Sequence, residues 1–499
     1  MIKNLQLLIV TFSTLILSLN AQDLVLNPSS ITHPVLAKNG MVATQHYLAS
    51  QVGEDILSRG GNAYDAAVAV GFALAVVLPR AGNIGGGGFM VMHDAPSNES
   101  YSIDYREKAP LKASRDMYLN EDGSVNTSRS TIGYLAIGVP GSVYGMWEVH
   151  KKFGSMSWEE LLQPAIELAD KGFEMSPYMI MTLNRVHGKL SQFEETESIF
   201  YKDYPIKFNT LLVQTDLAQT LRLIAQNGVA GFYEGEVADK IVSAMTKHGG
   251  LISHRDLKKY RPSWRKPLKS KYREFDVVTM GPPSSGGIHL IQMLNILENH
   301  DLKAFGHNNP RYVSLLTEVM KYAYADRSEY LGDPDFYKVP VTELTSKEYS
   351  KAINQKLKLF EFMTPPPTPS TSIKPGEYMR DESIETTHYS IADQYGNIIS
   401  NTYTLNSSYG SGVIIEGTGI LMNNEMDDFS ASPGTPNQFG LLGGEANEIV
   451  PEKRPLSSMT PTIILQEGVP YFATGTPGGS RIITSVLQSV LNIIDFEFE

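Results

Sequence analysis

The 499-residue sequence contains no cysteine. That removes disulfides, thiol catalysis and thiolate-bound metal from consideration, without fixing a compartment. A basic excess is also missing: 42 Lys and Arg stand against 54 Asp and Glu, for a formal charge of −12, with no long basic run. The electrostatic footprint of a nucleic-acid partner is therefore absent. No stretch reaches membrane length, and no repeat of fixed period is visible. The nearest approach to a span is Leu7 to Leu19, which is short for one. Lys3 precedes it and Asn20-Ala21 offers a small residue for cleavage. Residues 1–21 thus read as a signal peptide, with an uncleaved anchor as the alternative, and the mature protein is expected to be periplasmic or secreted. The full chain is 42% hydrophobic, ample for a sizeable core, and long enough for roughly two to four domains.

Taken in order, Ser50 to Val77 carries helical signals interrupted at Gly60-Gly61-Asn62. Ala63 to Val77 is apolar nearly all round, which predicts a helix buried between layers. Gly82 to Gly88 leads into an apolar strand near Phe89 to Met92. No Gly-Lys-Ser/Thr follows and the run ends a helix instead of opening one, so it reads as close backbone packing, not a phosphate loop. Tyr101 to Tyr105 reads as a strand, followed by Arg106-Glu107-Lys108-Ala109-Pro110. A helix-rich middle leads to Gly281 to Gly287, which caps a long apolar helix through Glu298. Met363 to Pro375, with Pro365-Pro366-Pro367-Thr368-Pro369 inside it, is an extended linker. The last stretch predicts strands at 462–465 and 469–474, a tight turn at 476–479 and a helix from Ser480.

The linker ends some ten residues before Thr386-Thr387-His388-Tyr389-Ser390. Thr387 to Ala392 reads as a strand, Asp393 to Asn397 as a turn, and Ile398 to Thr404 as the returning strand. With a five-residue loop, partners sum to 790 and Thr386 faces Thr404; a four-residue loop would pair it with Tyr403 instead. Directly opposed side chains lie roughly 4.5–5.5 Å apart at Cβ. Alternation puts Thr387 on the other face, so Thr386 is the hydroxyl that meets a second hydroxyl, with Asn406 just beyond.

The run from Thr386 through Asn406 resembles the processing site of the γ-glutamyltranspeptidases, also called glutathione hydrolases. The similarity continues through Asn423-Asn424-Glu425-Met426-Asp427-Asp428-Phe429, Lys453 to Met459 and Pro477-Gly478-Gly479-Ser480-Arg481, and reaches back to Gly61 to Ala67 and Gly85 to Gly88. The resemblance implies an α+β fold, a four-layer αββα sandwich of the N-terminal-nucleophile hydrolase type, with no cofactor and no metal. It implies one polypeptide that cuts itself into a large subunit, 22–385, and a small one, 386–499, which stay together as a heterodimer. The small part then holds 499 − 385 = 114 residues, where the family's normally continues for several dozen more, so a C-terminal truncation is expected.

A threonine hydroxyl is a weak nucleophile and needs a base. His388 is two residues on, roughly 6.5–7 Å along a strand, too far for a direct hydrogen bond, and is read as structural. The resemblance implies another base: cleavage before Thr386 frees an α-amino group of ordinary pKa about 7.7–8, close to neutral. Thr404 would orient the nucleophile. The amides of Gly478 and Gly479, in a turn before a helix, suit a tetrahedral oxyanion. By resemblance Arg106, with Ser457 and Ser458, holds the substrate carboxylate, as suits a planar bidentate donor. Asp428, with Glu425 and Asn406, would hold its ammonium. Local sequence does not choose Arg106 over Arg454 or Asp428 over Asp427; motif position does. Pro433 to Gly444 resembles a lid loop, with Phe439 where close relatives usually have tyrosine. The implied substrates are glutathione and other γ-glutamyl compounds, with water, amino acids or dipeptides as acceptors. The rivals are a related acylase, such as a cephalosporin acylase or a poly-γ-glutamate depolymerase, and an uncleaved, inactive binding protein.

Overall fold

A strand whose odd and even residues are both apolar belongs in a sheet covered on two sides, and several strands here have that pattern. The computed structural model describes residues 35–361, 386–432 and 434–498. The signal-peptide and linker expectations fall outside them. One antiparallel sheet comprises β1 (Gly40–Ala43), β2 (Gly87–Asp94), β3 (Glu99–Asp104), β4 (Ser263–Arg265), β7 (Thr387–Asp393) and β8 (Ile398–Thr404). A second holds β5 (Leu268–Tyr272), β6 (Phe275–Thr279), β9 (Thr462–Gln466) and β10 (Val469–Thr474). Their orders are β1-β7-β8-β2-β3-β4 and β10-β9-β6-β5. Each sheet thus mixes strands from before and after residue 386.

Alternation sorts the side chains into layers. Phe89 and Val91 of β2 pack with Val278, Ile463 and Leu465 of the second sheet. Met90 and Met92, one residue out of phase, face the other way with Tyr389, Ile391, Ile399 and Tyr403. That outer face is covered by helices α1 (Tyr47–Ser58), α2 (Ala63–Val77), α3 (Ser142–Phe153) and α4 (Trp158–Lys171). The outer face of the second sheet, with Val277 and Ile464, is covered by α5 (Gly286–Leu297), α6 (Pro310–Tyr330) and α7 (Ile482–Ile494). The result is the expected helix–sheet–sheet–helix order. All fifteen residues of α2 are buried, and Asn62 caps it by accepting from Tyr64 and Asp65 amides. Its lack of a polar face is therefore explained by position.

The β7–β8 hairpin has the five-residue connection: Ile398 pairs with Ala392 and Tyr403 with Thr387, so partners sum to 790. The Asp393 carboxylate accepts from the amides of Tyr395 and Asn397 and shapes the turn. The glycine run before β2 serves close packing, as a Cβ on Gly86 would fall 2.1 Å from the Thr404 carbonyl oxygen. Among the described residues no helix is long and apolar enough to cross a membrane.

Candidate active site

Thr386 immediately precedes β7 and sits on the face turned toward the second sheet. Its Oγ1 donates to Thr404 Oγ1 at 3.3 Å. Thr404 Oγ1 also accepts from the Asn406 amide at 2.9 Å; Asn406 itself has a left-handed backbone at φ 76°. Thr387, on the opposite face, has a buried hydroxyl with no hydrogen-bond partner among the described residues. His388 is committed elsewhere: its ring nitrogens meet Thr402 Oγ1 and Ser390 Oγ, each at 2.9 Å. Burial lowers its pKa to about 3, so the ring is neutral at ordinary pH. That arrangement matches the structural reading of His388.

Around Thr386 opens a small cleft, lined by Thr386, Thr404, Asn406, Arg106, Glu425, Asp428, Ser457, Ser458 and Gly479. Nine of the ten residues expected from sequence therefore meet in one place. Gly478, adjoining Gly479, is the tenth and does not line it. The two glycines have φ 139° and 53°, values open to Gly and strained for other residues. A single-turn 3₁₀ segment, Gly479–Arg481, joins them to α7, so the helix proper begins at Ile482, two residues later than read from sequence.

Arg106 is nearly fully buried at 1% exposure. Its guanidinium pairs with Glu425 and with Asp428, and Glu107 lies at 3.9 Å. Burial opposes its charge, but these carboxylates outweigh the penalty and hold its pKa above the ordinary value. Burial raises all three acids in turn, with Arg106 pulling the other way: Glu107 to about 7, Glu425 well above its usual range, and Asp428 upward. Among the described residues neither Glu107 carboxylate oxygen meets a donor at full hydrogen-bond geometry, although Glu425 lies close enough to act on it. Thus Arg106 rests on the two acids that sequence had assigned to the substrate ammonium. Glu107 was missed, although it adjoins Arg106 in the chain, because nothing local signals its burial.

The structure also separates the pairs that sequence left open. Arg454 is equally buried, but it pairs with Asp104 at 3.3 Å and Asp335 at 3.5 Å, away from the cleft. Asp427 accepts from Ser130 Oγ at 2.6 Å and the Gln438 amide at 3.1 Å. Burial raises it to about 6, and it lines a different hollow. Residues 434–444 form an irregular segment beside the cleft. Asn437 donates to Asp428 at 3.1 Å, and Ser407 Oγ donates to Gln438 Oε1 at 2.6 Å. The Phe439 ring lies against Gly479, where a Cβ would meet it at 2.9 Å. A second guanidinium missed by sequence, Arg327 of α6, donates to Ser458 Oγ at 3.3 Å.

A family profile described as gamma-glutamyltranspeptidase matches residues 49–499. The chain is 48% identical over 468 residues to the glutathione hydrolase proenzyme of Escherichia coli (strain K12), covering 93% of this chain and 80% of that one. The crystal structure of Helicobacter pylori gamma-glutamyltranspeptidase superposes with a TM-score of 0.65 at 44% identity, over 70% of this chain and 100% of that chain. Cephalosporin acylase from Bacillus halodurans shares the architecture at a TM-score of 0.78 and 27% identity, over 95% of this chain and 84% of that one. By sequence and by fold together, the chain belongs to the γ-glutamyltranspeptidase family.

Proposed function

We propose that the protein is a self-cleaving γ-glutamyltransferase and glutathione hydrolase. Thr386 Oγ1 attacks the carbonyl carbon of Glu385, and the peptide nitrogen leaves as the free α-amine of Thr386. Water then hydrolyses the Glu385 ester, giving a large subunit, 22–385, and a small subunit beginning at Thr386. In turnover the new amine, near neutral in pKa, takes the Thr386 hydroxyl proton as Oγ1 attacks the γ-carbonyl of glutathione or another γ-glutamyl amide. The tetrahedral oxyanion is held by the Gly478 and Gly479 amides, and the amine of the leaving group departs with the proton. Water or the amine of an amino acid or dipeptide then takes the γ-glutamyl group from Thr386. Thr404 orients the nucleophile. Arg106, Ser457 and Ser458 hold the substrate α-carboxylate, and Asp428, Glu425 and Asn406 its ammonium. Residues 1–21 direct export.

The observation that carries this reading is the contact of Thr386 with Thr404 at the edge of a cleft shared with Arg106, Glu425 and Asp428. An acid-rich wall beside one hydroxyl nucleophile suits an acyl group that bears an ammonium. The test is a denaturing gel of full-length protein beside Thr386→Ala, with γ-glutamyl-p-nitroanilide hydrolysis measured on both. Two bands and activity in the wild type, with one band and none in the variant, are expected. Two normal subunits from the variant would move the nucleophile elsewhere.

A further inference from the structure

A buried guanidinium normally sits against a carboxylate, because an unpaired charge is costly to remove from water. Arg327 breaks that rule. It is 5% exposed, yet among the described residues no carboxylate pairs with it. Its only bonds run to two hydroxyls: Nε donates to Ser285 Oγ at 3.1 Å and Nη2 to Ser458 Oγ at 3.3 Å. Burial accordingly presses its pKa below the ordinary arginine value. Arg106 shows the opposite imbalance, with one guanidinium against Glu425, Asp428 and the nearby Glu107. The resting site therefore has an acid-rich half and a half whose cation, Arg327, feels the Asp428 charge from a distance but makes no ion pair with a carboxylate among the described residues. A zwitterionic α-amino-acid head group complements both.

The hydroxyls that Arg327 touches give it a route to the substrate. A serine has one proton to donate, and arginine only donates, so Ser458 accepts from Arg327 and its own proton must go elsewhere. Among the described residues that proton has no acceptor, and Ser458 lines the cleft. Ser285 Oγ, accepting from Arg327, passes its proton to the Ser457 carbonyl at 2.7 Å, and the Ser285 amide donates to the same carbonyl at 2.8 Å. Ser457 Oγ in turn accepts from the Met459 amide at 3.1 Å, which leaves its proton free for an anion as well. One side chain of α6 thus fixes the backbone of the first cleft serine and the hydroxyl direction of the second.

We propose that Arg327 is a positioning residue for the substrate α-carboxylate, setting Ser457 and Ser458 as donors and supplying the charge that Arg106 has already committed. The inference rests on the γ-glutamyl reading above. Its test uses two substrates: γ-glutamyl-p-nitroanilide, and 4-aminobutyryl-p-nitroanilide, which keeps the amine and lacks the α-carboxylate. Arg327→Met is expected to raise KM for the first at least tenfold with kcat within about threefold, and to change kcat/KM for the second by less than about threefold. Arg327→Lys should recover part of the loss. In a Ser458→Ala background Arg327→Met should cost less than it does alone, because the Ser458 contact is already gone and only the Ser285–Ser457 route and the charge remain. Equal losses on both substrates, a fall in kcat at constant KM, or multiplying losses in the double variant would overturn the proposal. If Arg327→Met does not mature, Arg327→Lys is compared with Ser458→Ala on the same two substrates, and the same selectivity decides. A wild type inactive on γ-glutamyl-p-nitroanilide would instead sink the γ-glutamyl reading itself.

Discussion

Asp428 offers the sharpest probe of the ammonium site, because a glutaryl group differs from a γ-glutamyl group by the ammonium alone. In the resting cleft Asp428 is held by Arg106 and by Asn437. A bound glutaryl group brings a carboxylate that draws on the cationic groups and no cation to replace them. Asp428 then faces Glu425 with one positive partner fewer. Losing one partner of a desolvated charge pair costs about 2–5 kcal/mol. The Asp428 side chain is 12% exposed and keeps Asn437, so the lower half of that range, about 2–3.5 kcal/mol, applies. At roughly 1.4 kcal/mol per tenfold, wild type should prefer γ-glutamyl- over glutaryl-p-nitroanilide by about 30- to 300-fold in kcat/KM. Asp428→Asn keeps the shape of the side chain, leaves Glu425 to hold Arg106, and removes the charge that misses the ammonium. The preference should shrink below about tenfold. Equal rates on both substrates in the wild type would refute the ammonium role of Asp428 and favour the acylase alternative.

Three further outcomes are expected. Thr404→Val removes the acceptor for the buried Asn406 amide and the partner of Thr386. It should lower stability by about 1–3 kcal/mol in urea unfolding and slow self-cleavage on a timed gel, and Thr404→Ser should restore both. His388 has a folded-state pKa of about 3 against an ordinary 6.5, so below pH 6.5 the unfolded chain takes up a proton that the folded chain refuses. Stability is then present above pH 6.5 and is lost as pH falls toward 3, by up to about 1.4 kcal/mol per unit. His388→Gln should flatten the slope of the urea midpoint against pH and leave the acid limb of kcat/KM where it was; a displaced limb would make His388 a base. Gly479→Ala forces a side chain into φ 53° and against Phe439, a left-handed strain of about 1–2 kcal/mol. It should cut kcat by at least roughly tenfold, short of the 10²–10³ lost when an oxyanion donor disappears outright.

The hairpin was legible because its determinants are local: a turn of Asp, Gly and Asn between two alternating strands sets the register, and the register sets which threonine meets Thr404. The buried helix α2 was legible for a similar reason, since fifteen residues without a polar face have no surface orientation to adopt. The stacking of two sheets came from family resemblance, because strand periodicity states that a face is covered and not by what. Arg106 and Arg454 show where local reading stops. Both are buried arginines, and only the folded chain reveals that one meets Glu425 and Asp428 while the other meets Asp104 and Asp335. Glu107 and Arg327 were missed for the same cause: their meaning lies in groups far away in sequence, Glu425 acting on Glu107 from more than three hundred positions on and Ser458 meeting Arg327 from more than one hundred.

The hairpin β7–β8 lies between β1 and β2, and β9 lies beside β6. A cut before Thr386 therefore yields two polypeptides whose strands are woven through both sheets. Each fragment supplies hydrogen-bond edges that only the other can satisfy, so neither is a folded body that can leave and return. Maturation should then be a one-way event with no dissociation constant in the usual sense. Dilution would not separate the two pieces. Mixing tagged and untagged mature enzyme should produce no hybrids over any period in which the protein remains folded.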